Sequence, residues 1–234
     1  MTEAFLERDF KAYERHRQDD PEYNALRLSV RRKLKAMVDA TAKEAKKLGT
    51  SLSAQAGLHH PYTFNSYRVR EQRAYLCRSP KERKKLASFF GEALGKDAET
   101  HYIQTVLEVS LDDQVVEAAL RIHPHAWWDG ENFKKKTLEP PEGMDQLISM
   151  LRALPEAFHV KLHDWRNLHF CQQADPDDIG EMLTMYTPGE HWLHIQRQLP
   201  KEDALAMGEE AATWVQTSLL SLLPIYRFTL WEPV

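Results

Sequence analysis

Three stretches of this chain, residues 103–123, 158–171 and 191–198, alternate apolar and ionisable side chains. Because successive side chains of a strand point to opposite faces of the sheet, this period of two predicts strands with one apolar and one polar face. Helical patterns elsewhere in the chain supply the elements that would cover the apolar face. We therefore predict an α+β fold: a mostly antiparallel sheet with helices packed on one face, a long N-terminal helical arm, and an open polar face available for chemistry.

The composition indicates a globular protein. The chain has 234 residues, 42% of them hydrophobic, which is enough for a substantial core. No apolar run approaches the ~20 residues of a membrane span, so we expect no membrane association. The charged N-terminus and the two cysteines predict a cytoplasmic location without a disulfide framework. We divide the chain into a helical arm at 1–50 and an α+β domain at 51–234, expected to form one continuous unit.

Helix signals are strongest near both ends of the chain. Asp20 and Pro21 predict a helix start and Gly49 its end, which gives a helix over 21–48. The run Ser79-Pro80-Lys81-Glu82 predicts a capping box at the start of a second helix. A shorter helix is expected over 144–154, and a long amphipathic helix over 201–223. The tail 225–231 is predicted as a last strand.

Charge is distributed unevenly along the chain. Residues 1–100 carry 21 Lys and Arg against 14 Asp and Glu, a balance of +7, whereas residues 101–234 carry 10 against 21, a balance of −11. Such asymmetry indicates either an anionic partner for the basic half or two oppositely charged parts that pack together. The sequence leaves both interpretations open.

The densest basic segment, residues 66–85, interleaves arginines with tyrosines and holds eight basic and two acidic residues. Guanidinium groups make bidentate contacts with phosphates, and tyrosine rings stack on bases, so this composition is typical of nucleic-acid or nucleotide surfaces. Salt bridges with the acidic half are the alternative. The candidate ligand-binding residues are Tyr67, Arg68, Arg70, Arg73, Tyr75 and Arg78.

Two predicted hairpins supply candidate catalytic residues. With a two-residue loop at Asp112-Asp113, Glu108 would lie opposite Glu117, with Arg121 on the same face to compensate the two charges. With a loop at 165–167, His163 would lie opposite His169, where neutral imidazoles can bind a transition metal. The alternatives are exposed side chains and a different register.

Other motifs are too unspecific to name a reaction. His123-Pro124-His125 follows a predicted strand end but is also typical of a turn. The sequence contains no Cys-x-x-Cys pair, no Gly-x-Ser-x-Gly elbow and no Gly-x-Gly-x-x-Gly fingerprint. We assign no metal ligands and no cofactor from the sequence.

Three segments resemble bacterial and fungal families of conserved α+β domains. They are Tyr67-Arg68-Val69-Arg70, the hairpin followed by His123-Pro124-His125, and Leu223-Pro224-Ile225-Tyr226-Arg227-Phe228. The resemblance covers about residues 50–230. It implies an α+β fold and no particular activity.

Three functional hypotheses follow. The first is a binding protein that holds an anionic ligand, a nucleic acid or a protein partner through the Arg/Tyr-rich segment and the polar face. It requires Arg68, Arg70 and Arg73 to line one accessible surface. The alternative is a metal-dependent hydrolase or nuclease that uses the Glu and His residues of that face. The third is a scaffold subunit or homo-oligomer whose basic helical arm docks onto another chain.

Overall fold

The computed structural model describes residues 3–95 and 102–232, and the predicted α+β fold is confirmed in them. The α-helices are α1 Glu7–Lys11, α2 Asn24–Lys47, α3 Pro80–Gly95, α4 Trp127–Leu138, α5 Gly143–Arg152, α6 Pro176–Met185, α7 Lys201–Met207, α8 Glu210–Ser221 and α9 Leu223–Thr229. The strands are β1 Leu52–Ala56, β2 Gln72–Arg78, β3 Val106–Leu111, β4 Val115–Ile122, β5 His159–Leu162, β6 His169–Phe170 and β7 Leu193–Pro200. They form one antiparallel sheet in the order β1-β2-β3-β4-β7-β5-β6.

The long N-terminal helix covers one face of this sheet. Asp20 accepts a hydrogen bond from the Glu22 amide (2.8 Å), and Pro21 begins a 3₁₀ turn that leads into α2, as the sequence predicts. Apolar side chains along α2, including Leu34 and Val38, are buried against the sheet. Helix α2 packs on β1 and β2, and α8 packs on α2, β3 and β4. Together these helices bury the apolar face.

The segment before α2 belongs to the same core. Phe5, Phe10 and Tyr13 are buried in the cluster that also contains the apolar side chains of the sheet. The ammonium of Lys33 on α2 binds the Asp9 carboxylate and the Ala4 carbonyl. The boundary drawn at residue 50 therefore does not coincide with a break in the hydrophobic core.

The C-terminal part differs from the sequence prediction. The expected helix over 201–223 is divided into α7 and α8 at Gly208, whose φ of 56° is left-handed. The predicted strand over 225–231 is wrong, because most of it forms helix α9. Pro224 lies in the first turn of α9, where its missing amide hydrogen costs nothing. The chain therefore continues as a helix through Pro224.

Hairpin registers also differ from their predictions. Asp112 accepts hydrogen bonds from the amides of Gln114 and Val115, which lengthens the β3–β4 turn. Glu108 consequently lies opposite Ala119, and Glu117 lies opposite Ser110. The predicted Glu108–Glu117 pairing is wrong, although both carboxylates remain on the polar face because the register moved by an even number of residues.

The β5–β6 register moved by an odd number of residues, which exchanges the two faces of β6. His169 lies opposite Val160 and not opposite His163, so the predicted histidine pair is wrong. Phe170 instead lies beside His159, with ring centroids 6.2 Å apart. Cys171, the last residue of the alternating stretch 158–171, is buried in the core.

Candidate functional site

The segment between β1 and β2, residues 57–71, forms a surface loop that we call the arginine–aromatic loop. Asn65 organises it: its side-chain oxygen accepts from the Tyr62 amide (2.7 Å), and its side-chain amide donates to the His60 carbonyl (2.9 Å). Ser66 and Tyr67 adopt left-handed conformations with φ of 53° and 58°. Two consecutive non-glycine residues in this region are unusual, and such strain concentrates at functional sites.

The loop is anchored to the rest of the fold. The Val69 amide donates to the Gln18 carbonyl (2.8 Å), and the Val69 side chain is buried in the core. On the other side, the Arg31 guanidinium of α2 donates to the Gly57 carbonyl (2.8 Å). Its conformation is thus defined by contacts at both ends, which favours a preorganised binding surface.

Aromatic side chains of the loop point into solvent. Phe64 is 86% exposed and Tyr67 is 61% exposed. Tyr62 is also exposed, and its ring lies at 23° to that of Phe64, with centroids 6.0 Å apart. Folding normally buries aromatic rings, because each gains substantial apolar free energy when it leaves water. Exposed rings grouped on one ordered loop therefore indicate a contact surface.

Arg68 and Arg70 are exposed beside these rings. Neither forms an ion pair with a carboxylate within residues 3–95 and 102–232. The single acidic residue of the loop, Glu71, pairs with Arg73. Arg68, Arg70 and Arg73 line one cavity of about 470 Å³, together with Phe64, Glu71 and other residues of the loop. Arg68 and Arg70 are thus accessible at this cavity, whereas Arg73 is half-buried and paired with Glu71.

Helix α2 adds positive charge beneath the loop. Burial, His60 and the guanidinium groups of Arg31, Arg27 and Arg32 lower the pKa of His59. His59 thus lies in a cationic environment and favours its neutral form. The same field attracts an anion to this part of the surface.

The other candidate ligand-binding residues lie elsewhere. Arg78 is buried in an ion pair with Asp129, and its Nη1 lies 2.8 Å from Asp129 Oδ2. Because that carboxylate raises the pKa of Arg78 even though burial opposes the charge, the guanidinium stays ionised inside the protein. Tyr75 is buried with Cys77 and Val106 in a small apolar cluster. Neither Arg78 nor Tyr75 contributes to the exposed loop surface.

The polar face of the sheet, taken here as the side chains directed away from α2 and α8, is buried at its centre. Glu108 is 1% exposed and Glu117 is 8% exposed. Arg121 joins them, with Nε 3.0 Å from Glu108 Oε1 and Nη2 2.6 Å from Glu117 Oε1. Burial alone would lower the pKa of Arg121, but these two carboxylates raise it. The compensating role predicted for Arg121 is present, even though the register differs.

A cavity of about 200 Å³ opens on this face. It is lined by Arg73, Val106, Glu108, Arg121, His123, Trp192 and His194. Trp192 stacks on His194, with ring centroids 4.4 Å apart and an interplanar angle of 28°. Burial and the nearby cations lower the pKa of His194 well below its usual range. A neutral imidazole therefore faces a cavity that also contains two guanidinium groups.

The histidines predicted as metal ligands do not converge. His163 stacks on Trp192 (5.4 Å), whereas His169 accepts a hydrogen bond from the Trp165 indole (3.0 Å). In the described parts of the chain, no group of three or more His, Cys, Asp and Glu side chains could hold a metal ion. Both carboxylates of the predicted site are bound by Arg121. The metal-dependent alternative thus lacks a ligand set among these residues.

Comparisons with known proteins add no assignment: no family model matches the chain, and no curated protein sequence matches it. Across residues 3–95 and 102–232, no helix combines the length and apolar character that a bilayer crossing requires. Function is therefore inferred from the positions and contacts of the side chains.

Sequence reasoning missed several residues of the site. Phe64 and Tyr62 were not singled out, although two aromatic residues within a Pro- and Asn-containing turn segment are a detectable signal. Asn65, which organises the loop, carries the turn chemistry typical of Asn. The sequence also does not show that Lys161 lies opposite His194, because this pairing depends on the order of the strands.

Proposed function

We propose that this protein binds single-stranded nucleic acid through the arginine–aromatic loop. The observation that carries the proposal is the grouping of exposed Tyr62, Phe64 and Tyr67 with exposed Arg68 and Arg70 on one anchored loop. Aromatic rings stack on unpaired bases, and guanidinium groups bind the phosphates between them. Each chemical part of a single strand therefore has a matching group on this surface.

The charge balance of the loop supports an anionic ligand. Because Glu71 is occupied by Arg73, the charges of Arg68 and Arg70 are not neutralised by a carboxylate of the described chain. Arg31 and Arg32 lie close enough to His59 to act on its pKa, which extends the cationic environment to the other side of the loop. Phosphate groups bound here would release counterions, so binding should weaken steeply with salt.

Single strands are favoured over duplexes by the exposed rings. In a duplex the base faces are stacked on one another and are not available to Tyr62 or Phe64. Recognition of a duplex groove usually employs a helix or a two-stranded ribbon, whereas this surface is an irregular loop. If no oligonucleotide binds, the result would favour a protein partner for this surface.

The test is fluorescence anisotropy with a labelled single-stranded oligonucleotide of about 12 nucleotides, titrated at several NaCl concentrations. The double variant Arg68→Gln/Arg70→Gln should reduce the magnitude of the salt slope by about 1.4, since each phosphate contact on a single strand contributes about 0.7. The matched control is Arg166→Gln/Lys135→Gln, which removes the same charge from exposed positions outside the loop. It should leave the salt slope unchanged.

A second variant separates stacking from electrostatics. Phe64→Ala should weaken binding by about 1–3 kcal/mol and leave the salt slope unaltered, because the ring carries no charge. Equal affinity for single-stranded and duplex DNA would argue against the proposal, as would equal salt slopes for the loop variant and its control.

A further inference from the structure

One row of side chains across the polar face contains a guanidinium, an imidazole and an ammonium group. Arg121 lies directly opposite His194 on the neighbouring strand, and His194 lies directly opposite Lys161 on the next one. Val106 occupies the position on the other side of Arg121. Side chains at such positions have Cβ atoms only about 5 Å apart. The row brings two permanent cations and an imidazole together, with no carboxylate in these positions.

The carboxylates that neutralise Arg121 occupy the adjoining rows. Glu108 lies opposite Ala119, and Glu117 lies opposite Ser110. They bind the Nε and Nη2 atoms of Arg121. Nη1 of Arg121 donates to no residue of the described chain. The guanidinium therefore keeps one donor nitrogen for another acceptor.

Lys161 is exposed and forms no ion pair within the described residues. Its ammonium lies 5.8 Å from the centroid of the Trp192 ring, and Trp192 lines the cavity of about 200 Å³. Arg121 and Lys161 are two strands apart, one on each side of His194. An anion beside His194 would therefore have a cationic side chain on each side.

The state of His194 agrees with this reasoning. Burial and Arg121 lower its pKa most, followed by Lys161 and Arg73, while a hydrogen bond with Gln196 opposes them. The charges that act on the imidazole are thus cationic, although Glu108 lines the same cavity. The electrostatic potential at His194 favours a negative group.

We propose that this cavity is a binding site for a small oxyanion, the phosphate monoester or carboxylate of a small molecule. Arg121 Nη1 and the Lys161 ammonium donate to its oxygens, with the neutral His194 ring between them. A volume of about 200 Å³ admits one such group with a small attached body. Arg73 lines both cavities, but the groups proposed to hold this oxyanion, Arg121, His194 and Lys161, lie outside the arginine–aromatic loop, so the proposal stands without the nucleic-acid proposal.

The experiment is isothermal titration calorimetry of the full chain with inorganic phosphate, and in a separate arm with acetate, at constant ionic strength. Lys161→Gln should weaken phosphate binding about tenfold, the effect of losing one charged hydrogen bond. The control Lys43→Gln removes an exposed lysine from α2 and should not change the affinity. Both lysines are exposed, so both variants should fold normally.

Binding of phosphate but not acetate would restrict the ligand class to phosphate groups, and binding of both anions would extend it to carboxylates. Either result supports the site, provided that Lys161→Gln weakens binding. Absence of binding to the wild-type chain, or equal affinities for Lys161→Gln and Lys43→Gln, would overturn it. Lys161→Gln should also leave oligonucleotide binding unchanged, so failure of one proposal is distinguishable from failure of the other.

Discussion

The buried pair of Arg78 and Asp129 allows a quantitative test of a structural role for an arginine from the basic segment. Both side chains are almost completely buried, with 3% and 0% of their surfaces exposed. Asp129 also accepts hydrogen bonds from the amides of Thr105 and Trp231, each at 2.9 Å. The carboxylate thus holds β2, the start of β3 and the C-terminal segment together.

Arg78→Met removes the charge but keeps an unbranched apolar side chain. It leaves Asp129 ionised in the interior with only two amide donors, and removal of one partner from a buried ion pair typically costs about 3–5 kcal/mol. A typical domain has an unfolding free energy of about 5–15 kcal/mol, so the loss is measurable by urea denaturation. Arg166→Met, at an exposed position, should change stability by less than about 0.5 kcal/mol.

A double-mutant cycle with Asp129→Asn identifies the pairwise contribution. The double variant should be more stable than the sum of the two single losses indicates, with a coupling of about 2 kcal/mol or more. If Arg78→Met fails to fold, Arg78→Lys keeps the charge without the bidentate geometry and gives a smaller, measurable loss. A loss below about 1 kcal/mol for Arg78→Met, or reduced oligonucleotide binding at unchanged stability, would refute the structural role.

Three further predictions concern His194, Gly143 and Asn65. In the unfolded chain the imidazole protonates near pH 6.5, whereas folded His194 stays neutral, so lowering the pH from 7 to 5 should reduce the free energy of unfolding by up to about 2 kcal/mol. The His194→Gln variant should lack this part of the pH dependence, and urea unfolding at both pH values measures it. Gly143→Ala should destabilise by about 1–3 kcal/mol in thermal melts, because its Cβ would lie 2.1 Å from the Lys136 carbonyl oxygen, whereas Gly180→Ala, with its nearest contact at 3.6 Å, should not. Asn65→Ala should weaken oligonucleotide binding in the anisotropy assay without lowering the melting temperature, and unchanged affinity would contradict the preorganised loop.

Local signals in the sequence predicted the long helix and the strands well. Asp20 and Pro21 define the beginning of the segment that leads into α2, and the Ser79 and Glu82 side chains form the expected capping contacts. The alternation over residues 191–198 correctly predicted a strand, β7, in which His194 lies opposite Arg121 of the polar face. These features depend on residues close together in the chain, so the sequence contains the information that they require.

The registers and the site depended on contacts between distant parts of the chain. The Asp112 side chain lengthens one turn and moves Glu108 away from Glu117, and an odd shift exchanges the faces of β6. The order of the strands brings Lys161 beside His194. Composition alone could not separate Arg78 from Arg68, because burial against Asp129 and exposure beside Phe64 are decided by the packing of the whole chain.

The sequence by itself determined which side chains are apolar and which can ionise, and therefore that a two-faced sheet must be covered by amphipathic helices. Only the tertiary structure decided which arginines are neutralised by carboxylates and which remain exposed, because charge pairing acts through space over a few ångströms and not along the chain. Arg78 became part of the interior and Arg121 is bound by two carboxylates at the edge of a cavity, whereas Arg68 and Arg70 stayed at the surface.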